Sequence, residues 1–386
     1  MVNQTDKIEP AGVSKTRYVM IGGFLGAGKT TAVEKLGLHL QKRGLRVGLI
    51  TNDQGKDLVD TTTLRSRGFA IEEIQGGCFC CQFDSLAEAA SRLRDTSEPD
   101  VLIAEPVGSC TDLIATVSYP LRRLFGDRFS FAPLSVLVDP IRAARVFGLE
   151  TGGKFSDKVA YIYKKQIEEA DLLVINKSDL ISASRLARLT DMLAEHARHA
   201  TVLSASARTG AGLDEWFDRI MRAELSNREV MSVDYNIYAE GEALLAWLNC
   251  TVRLSSVRYF DAGKVLTDLA TCMQSILQQE GAEVAHLKIT LTPSHDAGEI
   301  AAINLVRNDH VPEVGHSLSE PVQSGELILN LRAEADPEVL HSAATRALLA
   351  LMEKSPDLFA RMEHCEHFRP SKPLPTHRIP PVALQA

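Results

Sequence analysis

With 386 residues, 45% hydrophobic and 24% charged, the chain has the make-up of an ordinary globular protein of two or three domains. Its formal net charge of −8 offers no global basic field to nucleic acid or anionic lipid, and no apolar run approaches membrane-spanning length. No nucleic-acid or membrane partner is therefore expected. Seven cysteines, three of them crowded together, argue against a disulfide framework. Residues 1–16 read as a disordered leader without the pattern of a signal peptide, which leaves the cytoplasm as the expected location.

Between residues 17 and 225, short apolar runs alternate with helical patterns. Strands are expected at 17–22, 46–51, 69–74, 100–104, 134–139, 171–176 and 201–204, and helices at 31–41, 84–94, 156–169, 184–196 and 213–224. This alternation predicts an α/β fold with a mostly parallel, doubly wound sheet, whose ligands sit at the carboxyl ends of the strands. After the first strand comes Gly22-Gly23-Phe24-Leu25-Gly26-Ala27-Gly28-Lys29-Thr30-Thr31, and Gly23 to Thr30 fits the phosphate-loop pattern. Glycines there let successive N–H groups face one anion, and the following helix N-terminus adds partial positive charge. Gly23, Gly26, Ala27, Gly28, Lys29, Thr30 and Thr31 are thus the expected phosphate cradle. Lys29 reaches the β- and γ-phosphates and the Thr30 hydroxyl ligates Mg²⁺.

Later strand ends add further candidates. Asp53, after the second strand, supplies an oxygen for Mg²⁺, although Asp and Gly in a turn are also common for conformational reasons. Cys78, Cys80 and Cys81 follow Gly76-Gly77 after the third strand. Three thiolates suit Zn²⁺ or a similar cation, with Glu73 or an external ligand completing the set; buried apolar filler and a redox switch remain the alternatives. Glu105, after the fourth strand, suits Mg²⁺ or the positioning of water, with an exposed strand-end carboxylate as the plain alternative. Gly108 offers its N–H to a γ-phosphate. Asn176-Lys177-Ser178-Asp179 is an N-K-x-D pattern, in which Asp179 accepts from the guanine ring N–H and amine together. Ser206-Ala207 resembles the loop whose Ala N–H meets the guanine oxygen. The expected nucleotide is GTP.

In this order, the phosphate loop, Cys78-x-Cys80-Cys81, Glu105-x-x-Gly108, Val138-Asp139 and Asn176-Lys177-x-Asp179 resemble the CobW-type metal-handling GTPases, relatives of UreG and HypB. The resemblance spans about residues 17–225. It implies a P-loop GTPase domain, with Lys29 and Glu105 in catalysis, that couples GTP and Mg²⁺ to binding or delivery of Zn or Co. It implies as partner a client metalloprotein or a cobalamin-related enzyme, and a homodimer is a further arrangement. A GTP-gated regulatory clamp that delivers no metal is the alternative. Two departures stand out: Asp53-Gln54-Gly55 replaces the usual Glu-Phe-Gly, and Gly76-Gly77 replaces the usual Asn-Gly.

Past the polar connector at 226–248, which includes a short helix expected at 241–249, segments 251–257, 263–279, 283–291, 299–306, 326–331 and 337–352 suggest β-α-β-β-β-α. That predicts a smaller α+β C-terminal domain at 249–368, an antiparallel sheet with helices on one face, more a reader of partners than a second catalytic unit. His364 and His367, at i and i+3 on an expected helix end, would share a metal or simply be solvated. Residues 369–386 form a Pro-rich, extended tail.

Overall fold

The computed structural model describes residues 15–53, 68–295 and 299–380, apart from the side chains of Asp53 and Gln75. Most of the expected leader therefore lies outside the described residues, as do Gln54, Gly55 and the last six residues. The N-terminal half runs β1 (Thr16–Gly23), α1 (Lys29–Lys42), β2 (Val47–Asp53), β3 (Ala70–Gln75), α2 (Phe83–Ser97), β4 (Val101–Glu105), α3 (Tyr119–Phe125), β5 (Phe129–Phe131) and β6 (Ser135–Val138). It continues through α4 (Pro140–Val146), α5 (Asp157–Glu169), β7 (Leu172–Ile175), α6 (Ala183–His196), β8 (Thr201–Ser204) and α7 (Leu213–Arg222). The strands pair in parallel in the order β3-β2-β4-β1-β6-β7-β8, with β5 beside β1.

Every residue of β1 is buried, as a central parallel strand covered on both faces requires. Val19 and Ile21 pack with Val33 and Leu36 of α1 and Trp216 of α7. Tyr18 and Met20 pack on the opposite face with Leu86 and Leu93 of α2 and Ile162 of α5. The doubly wound sheet is as expected. Sequence reading missed β5, α3 and α4, which are three and seven residues long and too short to show a period.

α8 (Tyr235–Leu244) leads directly into β9 (Leu245–Phe260), followed by α9 (Ala262–Gln279), β10 (Glu283–Pro293), β11 (Ala301–Leu305), β12 (Glu313–His316), β13 (Val322–Glu334), α10 (Pro337–Lys354) and β14 (Leu358–Phe368). These strands form a six-stranded antiparallel sheet, β12-β11-β10-β13-β9-β14. Ala246, Leu248, Cys250, Val252 and Leu254 of β9 share a core with α9 and α10 on one face.

Three expectations need correction here. The helix expected at 241–249 ends at Leu244, because residues 245–249 alternate inward and outward and pair with β13 and β14; tertiary pairing overrides a locally helix-like run. His364 and His367 lie on strand β14, where positions three apart face opposite sides, so they do not share one face. Cys250 and Cys365 sit opposite each other across β9 and β14 and form a disulfide, a pairing 115 residues apart in sequence. Among the described residues no helix is long and apolar enough to cross a membrane.

Glu169, at the end of α5, is buried and accepts from the Thr111 hydroxyl (3.2 Å) and the Ile114 N–H (3.4 Å), pinning the chain after β4. Burial, with Asp112 nearby, pushes its carboxyl up to about 8 from 4.5. The folded chain then holds a proton that the unfolded chain releases, so stability falls as pH rises from about 4.5 through about 8. Glu169→Gln should remove this part of the slope, on the order of 2–4 kcal/mol across the window. Urea unfolding at pH 5.5 and 8 checks it; an unchanged slope would refute the assignment.

Candidate functional site

A cavity of about 510 Å³ opens at the carboxyl ends of β1, β2, β4 and β7. Gly26, Gly28, Lys29, Thr30 and Thr31 line it, as do Glu105, Gly108, Asn176, Lys177 and Ala207. Gly28 caps α1 in the left-handed region (φ 89°), and a Cβ there would lie 2.5 Å from Asn176 Nδ2. Lys29 opens the helix and is buried. The Thr30 hydroxyl donates to Glu105 Oε1 at 3.0 Å, so a hydroxyl and a carboxylate meet where a hard cation would want oxygen ligands. Asp53 ends β2, which places its backbone at the same sheet edge.

The N-K-x-D segment also builds the pocket wall. Asn176 Nδ2 donates to Ala27 O (2.8 Å), and its Oδ1 accepts from the Ala207 N–H (2.9 Å). That N–H, expected to meet a guanine oxygen, is thus committed to positioning Asn176. Lys177 stands in the left-handed region and donates to Gly26 O (2.6 Å) and Asp139 Oδ2 (2.9 Å). Asp179 is exposed, with the Arg208 guanidinium in its electrostatic neighbourhood. Ser206 is buried and its hydroxyl accepts from the Thr209 N–H at 3.1 Å, which closes the loop rather than facing the cavity.

The opposite wall was not foreseen: it is the open face of the C-terminal sheet. Asn304, Lys288, Asn330 and Asn249 stand side by side on β11, β10, β13 and β9, while His286 pairs with Arg332 in the next row. Their signal lay in the sequence as polar residues alternating with apolar ones, His286-x-Lys288 and Asn330-x-Arg332, which one-sided packing alone also explains. Arg332 stacks on Trp247, 3.4 Å from the ring centre, and reaches Ser109 Oγ at 3.3 Å. Lys29, Lys177, Lys288 and Arg332 together give the cavity a cationic lining suited to phosphates. Gly26 shows how closely the two halves meet, since a Cβ there would lie 3.0 Å from the Val306 side chain.

Cys78 Sγ lies 2.8 Å from Cys80 Sγ and 3.2 Å from Cys81 Sγ, so local backbone alone converges the triplet. Cys78 and Cys80 are buried and Cys81 is half-buried. Glu73 does not join the group of ligand atoms. Its neighbours Glu72 and Ile74 face α2 and the core around the thiols, and strand alternation turns Glu73 to the other side of the sheet. A residue missed by sequence reading stands near the triplet instead: the buried Cys110 thiol neighbours Cys78 closely enough to shift its titration. Hydrogen bonds from Cys110, Cys80 and Cys81 hold the Cys78 thiol well below its ordinary range, while Cys78 and burial push the Cys110 thiol up. Four sulfurs thus lie close together around Cys78, a donor set that fits a thiophilic cation.

Two bridges join thiols and cavity. Asn52, which lines the cavity, donates to Gly77 O at 2.7 Å in the turn before Cys78. The chain after β4 carries Glu105 at Thr30, Gly108 against Leu25 and Cys110 at Cys78. On the outside, the Pro-rich tail straps the cluster down. The Leu374 N–H donates to Cys81 Sγ (3.2 Å), the Thr376 N–H to Cys80 O (3.2 Å), and Arg378 to buried Asp112 (2.6 Å).

Residues 17–204 match the family model described as CobW/HypB/UreG, nucleotide-binding domain. The zinc chaperone CobW of a Sinorhizobium species is 30% identical over 226 residues, 50% of this chain and 60% of that protein. A putative GTPase of Caulobacter vibrioides is 31% identical over 234 residues, 57% of this chain and 64% of that one. The zinc chaperone YeiR of Escherichia coli is 29% identical over 167 residues, 42% of this chain and 47% of that one. The chain thus spans between about half and two thirds of the length of these relatives. A phosphate loop on β1, an N-K-x-D wall after β7 and a thiol triplet after β3 now stand together with that match, and residues 17–204 are similar to the nucleotide-binding domain of CobW, HypB and UreG.

Proposed function

We propose that this chain is a GTP-hydrolysing metallochaperone that couples nucleotide state to a thiol-bound metal, Zn²⁺ above Co²⁺, for delivery to a client metalloprotein. One loop carries the reading. Residues 105–110 touch the phosphate loop at one end, through Glu105 and Gly108, and the thiols at the other, through Cys110. The family match and the relatives named zinc chaperones support both halves of it.

In this reading Lys29 and the backbone N–H groups of residues 26–30 hold the transferring phosphoryl group and stabilise charge on its oxygens. Thr30, Glu105 and Asp53 are the residues that would hold Mg²⁺, which when bound neutralises β- and γ-phosphate oxygens. Lys288 and Arg332 add charge from the opposite wall and keep bulk water from the phosphates. Asp179 selects guanine. A γ-phosphate received at the Gly108 N–H would shift a segment that ends on Cys110, and so would alter the thiol set from the nucleotide side. The thiols hold the metal as cargo, with Cys110 adjoining the triplet.

Asp179→Asn should lower GTP affinity at least about 100-fold and create binding of xanthosine triphosphate, because the amide donates to the extra xanthine carbonyl. Competition titration with GTP, ATP and xanthosine triphosphate checks this, and equal affinity of the unmutated chain for ATP and GTP would overturn it. Coupling predicts that Zn²⁺ affinity differs between GDP and a slowly hydrolysed GTP analogue by roughly five- to 150-fold. Cys110→Ser should shrink that ratio towards one while leaving nucleotide affinity in place. Identical Zn²⁺ affinity in the two nucleotide states would remove the metallochaperone mechanism and leave only a nucleotide-binding protein.

A further inference from the structure

His367 does not face His364, but it has other company. On α10, Glu338 and His341 are three positions apart and so lie on one helix face. Strand β14 packs along that helix and brings His367 to the same spot. His367 Nε2 lies 3.0 Å from Glu338 Oε1, and the His341 and His367 rings are stacked 4.7 Å apart at 18°. One donor atom from each of the three residues falls within 4.8 Å of the others. His367 Nδ1 is buried and has no hydrogen-bond partner among the described residues. Nearby Asp336 is engaged by Arg369 at 2.9 Å, and Cys365 is tied to Cys250, so neither competes for the position.

We propose that Glu338, His341 and His367 form a second divalent-metal site, outside the nucleotide domain and independent of the thiol cluster. Two imidazoles and one carboxylate are a borderline donor set, suited to Zn²⁺, Co²⁺ or Ni²⁺ and poorly matched to Mg²⁺. Two of the residues are anchored: α10 starts at the Asp336 cap, and β14 is paired along β9. Glu338 is 78% exposed, so at least one coordination position opens to water. Such a site loads and releases metal quickly, whereas the thiols are buried beneath the tail. It gives the C-terminal domain a means of taking metal from solution that needs neither nucleotide nor cysteine.

The test uses the full chain, Zn²⁺ or Co²⁺ alone, and a chelator competition. The Cys78→Ser, Cys80→Ser, Cys81→Ser variant should still bind one Co²⁺ per chain. Its spectrum should show ligand-field bands without sulfur-to-cobalt charge transfer. Adding His341→Ala and His367→Ala should abolish that binding, and Glu338→Gln, at an exposed position, should weaken it at least about tenfold without disturbing the fold. Retained circular dichroism and nucleotide binding separate ligand loss from unfolding. If the triple cysteine variant binds no metal, or binds it undiminished after the Glu338 and histidine substitutions, the site does not exist. Either failure leaves the thiol-site reading untouched, since that reading predicts charge-transfer bands only in chains that keep the cysteines.

Discussion

Asp139 is the carboxylate on which the architecture converges. It is almost fully buried, caps α4 through the Ile141 and Arg142 N–H groups, and faces Lys177 at 2.9 Å and Arg307 at 3.3 Å. Burial alone would raise its pKa, but Lys177, Arg307 and Arg142 outweigh that and hold it well below the usual carboxylate range. A buried charge is tolerated only when its partners are in place. These partners come from three separate regions: the N-K-x-D turn, the helix after β6 and the C-terminal sheet. Lys177 in turn grips Gly26 O, so the phosphate loop hangs from the same group. The shape of the nucleotide cavity and the docking of the second domain thus share one electrostatic solution.

The docking is continued by Arg142. Its guanidinium is fully buried and reaches the carbonyls of Ala285 (3.3 Å) and Val306 at the end of the C-terminal sheet. It also lies over the Phe24 and Phe155 rings, 5.5 and 4.8 Å from their centres. A cation that satisfies the backbone of a second domain while stacking on the phosphate loop leaves little room for independent motion. The C-terminal domain is accordingly part of the pocket and not an appendage that only reads partners.

The segment after β4 is held by hydrogen bonds from several directions. Gln166 donates to Gly108 O (2.9 Å) and Cys110 O (2.8 Å), Tyr238 bridges Ser109 O and the Thr111 N–H, and Arg332 reaches Ser109 Oγ. A segment held from so many sides changes position by exchanging one set of bonds for another and not by gradual drift. That is the property the proposed link between phosphate and thiols requires. The tail over Cys80 and Cys81 closes the same region from outside and engages Asp112 of the same loop.

Local backbone chemistry makes part of this molecule legible from its residues alone. Gly23 to Thr30 must form a phosphate loop because its glycines sit at fixed offsets from a strand and a helix. Cys78, Cys80 and Cys81 converge because two glycines precede three thiols within four positions. The parallel sheet follows from alternation over two hundred residues. Which distant residues meet depends on packing across the whole fold. Cys110 replaces Glu73 beside the thiols, because strand alternation turns Glu73 away while the chain after β4 returns to them. Residues 245–249 become strand because β13 and β14 pair with them. The cationic wall of Lys288 and Arg332, the Cys250–Cys365 bridge and the meeting of His367 with His341 join positions 26 to more than 200 apart. Local pattern does not identify the partners in such contacts, since their free energy comes from burial and pairing that exist only once the chain has folded.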